Sequence, residues 1–148
     1  MSTENSKASN EAEIRKLIDD WAAAFRARDV EHIMSCYAPD IVAFDVVPPL
    51  QYMGVDAYRK DWEGMMSMCE GQNNIEMRDL VIAAGEDVAF SHCLSHFTGK
   101  QISGNQIDMW MRVTVGYRRI DGRWLTVHEH VSAPIDMESG KGLFDLKP

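Results

Sequence analysis

The sequence predicts an α+β domain: a cone-shaped fold in which three N-terminal helices pack on a curved, mainly antiparallel sheet. Three observations predict it. Helical apolar spacing is confined to the chain before Gly71, the long segments after it are rich in β-branched and aromatic residues, and Gly/Asp/Asn turns separate those segments. Segregated helices followed by strands place the helices on one face of the sheet. The concave space beneath a bent sheet is a natural place for a small molecule.

Residues 1–9 are polar, with nothing to bury, and read as a loose tail. Asn10 followed by Glu13 resembles a capping box. Ile14, Leu17, Ile18, Trp21, Ala22 and Phe25 then recur at three- and four-residue spacing, which predicts an amphipathic helix ending near Asp29. A shorter helix is expected from Val30 to Tyr37, stopped by Pro39. Residues 41–47, IVAFDVV, read as one short strand that Pro48 and Pro49 cannot continue. Gly54 opens a third helix carrying Val55, Tyr58, Trp62, Met65 and Met66. Residues 75–83, 87–98, 106–119 and 123–132 then form an antiparallel meander, and residues 136–148 an irregular tail. The ordered domain is therefore expected over residues 10–135.

With 148 residues, one domain with a real core is expected. Fifteen basic against 23 acidic residues give a net charge of −8, which repels polyanions, so neither nucleic acid nor an acidic membrane is an expected partner. The three cysteines form no CxxC, and no segment approaches the ~20 apolar residues of a membrane span. With no apolar leader at the N-terminus, a reducing, cytoplasmic setting is expected.

Four segments carry a resemblance, in order: the helix IRKLIDDWAAAFRARDV, the strand IVAFDVV, the helix GVDAYRKDW and the closing DGRWLTVHEHVSAP. They resemble nuclear transport factor 2-like folds, in particular the SnoaL-like and ketosteroid-isomerase-like proteins. The closing segment is also similar to the association domain of calcium/calmodulin-dependent protein kinase, an oligomerisation hub. The first resemblance implies a cofactor-independent isomerase or cyclase-type lyase, or a ligand-binding relative. It places Asp45 where such isomerases carry an aspartate base. Trp21 stands where they carry a tyrosine, and Thr114 near their second acid. Arg112 and His128 resemble the polar pocket pattern of the SnoaL-like branch.

The residues themselves leave alternatives open. Asp45 amid Val42, Ala43, Phe44, Val46 and Val47 is either a desolvated base facing a pocket or an outward side chain on an alternating strand. Arg112 lies opposite the apolar face of Met109, Met111, Val113, Val115 and Tyr117. It either fixes an anionic oxygen or is solvated. Alternation groups His128 and His130 with Trp124, Thr126 and Ser132, against Leu125, Val127, Glu129 and Val131. His128 is a proton shuttle or a structural histidine. His92 and His96 sit about 13 Å apart on a strand, too far to share one ion, and no HExxH is present, so no metal is expected. Trp21, Phe25, Tyr37, Tyr52, Trp62, Trp110 and His130 are the candidate pocket walls, beside ten methionines. The expected ligand is a small apolar molecule carrying a carbonyl or carboxylate, and a homodimer is expected. The competing expectation is a non-catalytic binding or oligomerisation module.

Overall fold

A computed structural model describes residues 3–148. Three helices, α1 (Thr3–Ala27), α2 (Val30–Ser35) and α3 (Val55–Met68), accompany six strands. The strands are β1 (Tyr37–Phe44), β2 (Tyr52–Met53), β3 (Cys69–Ala84), β4 (Val88–Gln101), β5 (Gln106–Ile120) and β6 (Arg123–Ser132). They form one sheet in the order β2-β1-β6-β5-β4-β3, antiparallel throughout except for the parallel pair β1 and β6. The α+β architecture expected from the sequence is present.

The first helix starts earlier than its polar N-terminus suggests. Residues 3–9, expected as a tail, are helical, and residues 1–2 lie outside the described residues. Asn10 does not cap the helix. Its side chain is buried, donating from Nδ2 to the Gly85 carbonyl at 2.9 Å while Oδ1 accepts from Arg119. A residue type that favours caps is here used to pin the middle of α1 to the β3–β4 and β5 ends. At the other end Arg28 adopts φ 60° and its guanidinium donates to the carbonyls of Gly71, Met66 and Cys69, tying α1 to the α3–β3 junction.

The second helix stops at Ser35, and β1 already includes Pro39. Pro39 is tolerated because the β1–β6 register shifts between Tyr37 and Val42, so no ladder hydrogen bond is asked of it. Gly54, at φ 92°, occupies the N-cap of α3, a conformation that favours glycine. Asp121 and Gly122, with φ of 50° and 79°, form the tight turn joining β5 to β6.

The helices cover the concave face of the sheet. Phe25 of α1 sits edge-on to Trp62 of α3 and Phe97 of β4, with ring centroids 5.9 Å and 5.2 Å apart. A second cluster joins Ile14 and Ile18 to Ala89, Tyr117 and Trp124. After β6 the chain makes a single bridge, Ile135 with Gly142, and the Phe144 carbonyl accepts from the Trp110 amide, so the C-terminal segment covers the part of β5 that β6 leaves unpaired.

Candidate functional site

A cavity of about 580 Å³ lies between the helices and the sheet, walled by residues of both clusters. Its β5 wall is Met109, Met111, Val113, Val115 and Tyr117, the apolar face that strand alternation predicts. Trp21, Phe25 and Trp62 supply the helix side.

One end is acidic. Asp45 follows directly on β1, and its Oδ1 accepts from the Val46 amide at 2.6 Å. The Tyr58 hydroxyl, from α3, lies 3.0 Å from Asp45 Oδ2 and 2.9 Å from Glu129 Oε2 of β6. On the far side of Glu129, Trp21 Nε1 donates to the Tyr37 hydroxyl at 3.0 Å, and Tyr37 in turn donates to Glu129 Oε2 at 3.3 Å. Beside Asp45, Asp61 accepts from the Tyr52 hydroxyl at 3.0 Å, and Tyr52 also reaches the Pro48 carbonyl at 2.8 Å. Side chains from α1, α3 and the strands are thus joined into one hydrogen-bonded string. Asp45, Tyr58, Asp61 and Glu129 all line the cavity.

The electrostatics follow from crowding three carboxyl groups with little water. Burial pushes Glu129 up to about 7, with the Asp45 charge adding to the rise and the hydroxyls of Tyr58 and Tyr37 opposing it. Burial and then the Asp45 charge push Asp61 up to about 6, with Tyr52 pulling the other way. Burial and the neighbouring carboxyl groups hold the Tyr58 hydroxyl well above the usual phenol range, so it carries its proton at any physiological pH. Among the described residues lining the cavity, Lys60 is the one cation, and it is exposed.

The structure brings Asp45, Trp21, Phe25 and Trp62 to the cavity, while Tyr37 and Tyr52 stand behind its wall as hydrogen-bond partners. It does not bring Arg112, His128, Trp110 or His130 there. Arg112 is exposed on the opposite face of β5, and its Nε donates to Ser132 Oγ at 3.1 Å. Trp110, on the same outer face, stacks on His96 with ring centroids 4.4 Å apart. His128 donates from Nδ1 to the Val42 carbonyl at 2.6 Å, and its ring meets the edge of Phe44. His130, exposed, lies against the same phenyl ring.

The reason for the histidines is a bulge. Tyr117 pairs with Thr126 but the preceding Gly116 pairs with His128, so Val127 is an extra residue in β6. Thr126 and Glu129 therefore both face the cavity, and both histidines turn outward. Sequence reasoning missed Glu129, Tyr58 and Asp61. A carboxylate placed among Leu125, Val127 and Val131 was the available signal for the first.

Burial pushes the Cys36 and Cys93 thiols up to about 11, which leaves them unreactive. No group of three or more His, Cys, Asp or Glu among the described residues is arranged to hold a metal ion. No helix among the described residues is long and apolar enough to cross a membrane.

Comparison with known proteins agrees with this geometry at the level of family. Residues 14–136 match the SnoaL-like domain model. An NTF2-like protein of unknown function from Pseudomonas putida is 46% identical, covering 95% of this chain and 98% of its own with a TM-score of 0.87. A ketosteroid isomerase-like protein from Erwinia carotovora is 18% identical over 82% of this chain and 94% of its own, with a TM-score of 0.71. An NTF2-like superfamily protein from Salmonella enterica is 17% identical over 92% and 99%, with a TM-score of 0.77. These last two show the shared fold alone. No curated protein matches. With most of its length inside the family model, the chain belongs to the SnoaL-like domain family of the NTF2-like superfamily.

Proposed function

We propose that the chain is a cofactor-independent enzyme of isomerase or cyclase type, in which Asp45 takes a proton from the carbon beside a carbonyl of a small, mostly apolar compound. The observation that carries this reading is the position of Asp45: a carboxylate held by the Val46 amide, 3.0 Å from the Tyr58 hydroxyl, at the edge of a largely apolar cavity of about 580 Å³. The C–H electron pair would pass into the enolate, and the proton would return to the same or a neighbouring carbon. Asp61, next to Asp45, is the candidate donor to the substrate oxygen in its protonated form, in place of Arg112 and His128, which stand on the outer face. The apolar walls exclude water from the enolate.

The acidic end selects against an anionic ligand, which narrows the expected carbonyl-or-carboxylate compound to a neutral carbonyl. A homodimer is part of the proposal. Among the described residues the outer sheet face carries no helix, and it exposes Phe44 against His128 and His130 and Phe90 against His92. Light scattering checks this, and a monomer would remove it.

The test of the chemistry is hydrogen–deuterium exchange at the α-carbon of 2-tetralone in heavy water, followed by proton NMR. Wild type is expected to accelerate exchange, and Asp45→Asn to bring the rate down to background. Exchange that survives the substitution unchanged removes Asp45 as the base.

A further inference from the structure

We infer that Tyr58 and Glu129 form a proton store behind Asp45, so that a proton taken by Asp45 passes through the Tyr58 hydroxyl and rests on Glu129. The inference builds on the reading of Asp45 as the base. Its foundation is a count of protons. One phenolic O–H stands between Asp45 Oδ2 at 3.0 Å and Glu129 Oε2 at 2.9 Å, and it can donate to only one of them at a time. When it donates to Glu129, the contact with Asp45 becomes a hydrogen bond only if Asp45 holds a proton, and the converse holds for Glu129.

The far end of the string is fixed. The indole N–H of Trp21 can only donate, so the Tyr37 oxygen accepts there and sends its own proton to Glu129 Oε2. Tyr37 therefore steadies the Glu129 carboxyl without competing for the transferred proton.

The transfer balances without any added reactant. With Glu129 a carboxylate and the Tyr58 O–H turned to it, Asp45 gains the proton when the substrate C–H bond breaks and its electron pair passes into the enolate. The new Asp45 O–H then donates to the Tyr58 oxygen while the Tyr58 O–H proton moves to Glu129. Asp45 is again a carboxylate, Tyr58 is again a phenol, and Glu129 is a carboxylic acid. The reverse movement returns the proton to the substrate. Glu129, pushed up to about 7 chiefly by burial, accepts and releases a proton near neutrality, as a store requires. The other titratable groups facing the pair are Asp61 from α3, Tyr52 from β2, Tyr37 from β1, Cys36 before it and Tyr117 from β5. Of these, burial and neighbouring carboxyl groups keep the tyrosines protonated near pH 7, so Asp61 is the remaining group that titrates beside the pair.

The experiment has two arms on the full chain. In the first, side-chain carboxyl carbons of 13C-labelled Asp and Glu are followed by NMR from pH 4 to 9 in wild type, Tyr58→Phe and Glu129→Gln, with folding checked by amide spectra. The Glu129 carbon is expected to report more than one ionisation step in wild type. In Tyr58→Phe this cross-reporting is expected to weaken and the Glu129 midpoint to rise. Independent single-step titrations, with midpoints unmoved by Tyr58→Phe, overturn the store. In the second arm, the pH profile of 2-tetralone exchange is expected to show an inflection near the Glu129 value. That inflection should disappear in Glu129→Gln, with kcat down at least about tenfold and KM little changed. Loss of exchange in Asp45→Asn together with a wild-type profile in Glu129→Gln overturns the store and leaves the base. Full exchange in Asp45→Asn overturns the base, whatever the carboxyl titrations show.

Discussion

The Tyr58 hydroxyl lies 2.9 Å from Glu129 Oε2, and both side chains are buried. A carboxyl group sealed in this way and held up at about 7 binds its proton more tightly in the folded chain than in the unfolded one, where the ordinary value is 4.5. The sign follows by linkage: the folded state retains the proton over the interval in which the unfolded state loses it, so stability is greatest below about pH 4.5 and falls as pH rises through about 7. The loss from this group is on the order of 3 kcal/mol. Asp61, raised to about 6 but partly solvated, adds a smaller fall in the same direction. Thermal melts are expected to give a higher Tm at pH 5 than at pH 8. Glu129→Gln should flatten that dependence and raise Tm at pH 8 relative to wild type.

The acidic end of the cavity sets which ligands stabilise the fold. 2-Tetralone is expected to raise Tm, whereas 2-naphthoate, similar in shape but anionic, should give a markedly smaller shift at pH 8 because Asp45, Asp61 and Glu129 oppose it. Asp45→Asn should narrow the difference. Equal shifts for the two compounds at pH 8 would remove charge as the selecting feature.

Arg112 supplies a negative control. It is exposed on the outer face, bonded to Ser132, so Arg112→Ala is expected to leave 2-tetralone exchange within about twofold of wild type and stability within about 0.5 kcal/mol. His128→Ala removes the bond to the Val42 carbonyl and the contact with Phe44, and should cost about 1 kcal/mol in urea unfolding without reducing exchange. A loss of turnover in either variant that exceeds its loss of folded protein would return those residues to the chemistry.

Two glycines give opposite signs. A Cβ at Gly99 would stand 2.8 Å from Oδ1 of the fully buried Asn73, so Gly99→Ala is expected to destabilise by about 1 to 3 kcal/mol. At Gly64, inside α3, a Cβ meets nothing within 4 Å, and Gly64→Ala should stabilise by about 0.5 to 1 kcal/mol. Urea denaturation of the two variants measures both.

Much of the architecture was legible because period and composition agree along the chain. The apolar spacing from Ile14 to Phe25 became the buried side of α1, Gly54 opened α3, and the turn residues Asp121 and Gly122 closed the last hairpin. What was not legible lies where backbone irregularity overrides period. Pro39 signals a break and lies in a strand, because the register shift there asks nothing of its nitrogen. Asn10 has the chemistry of a cap and is spent on a tertiary bond. Alternation alone placed Arg112 opposite the apolar face of β5, and that is where it stands; the family resemblance drew it toward the pocket. In β6 alternation misled, because no residue type marks Val127 as the one that adds an extra step. Tyr58 reads as one more apolar position on α3, since only the fold shows that its hydroxyl meets two acids.

That extra step also defines how this kind of pocket could change its chemistry during descent. Thr126 and the two histidines would share a side in an unbroken β6, and the carboxylate of Glu129 would look outward. Deleting Val127 would therefore straighten the strand and leave Glu129 facing the hollow, whereas pairing Val127 into the ladder with every residue kept would exchange an acid-ended hollow for an imidazole-ended one. In this scaffold one irregular step in a strand selects which side chains reach the hollow, with no amino acid replaced.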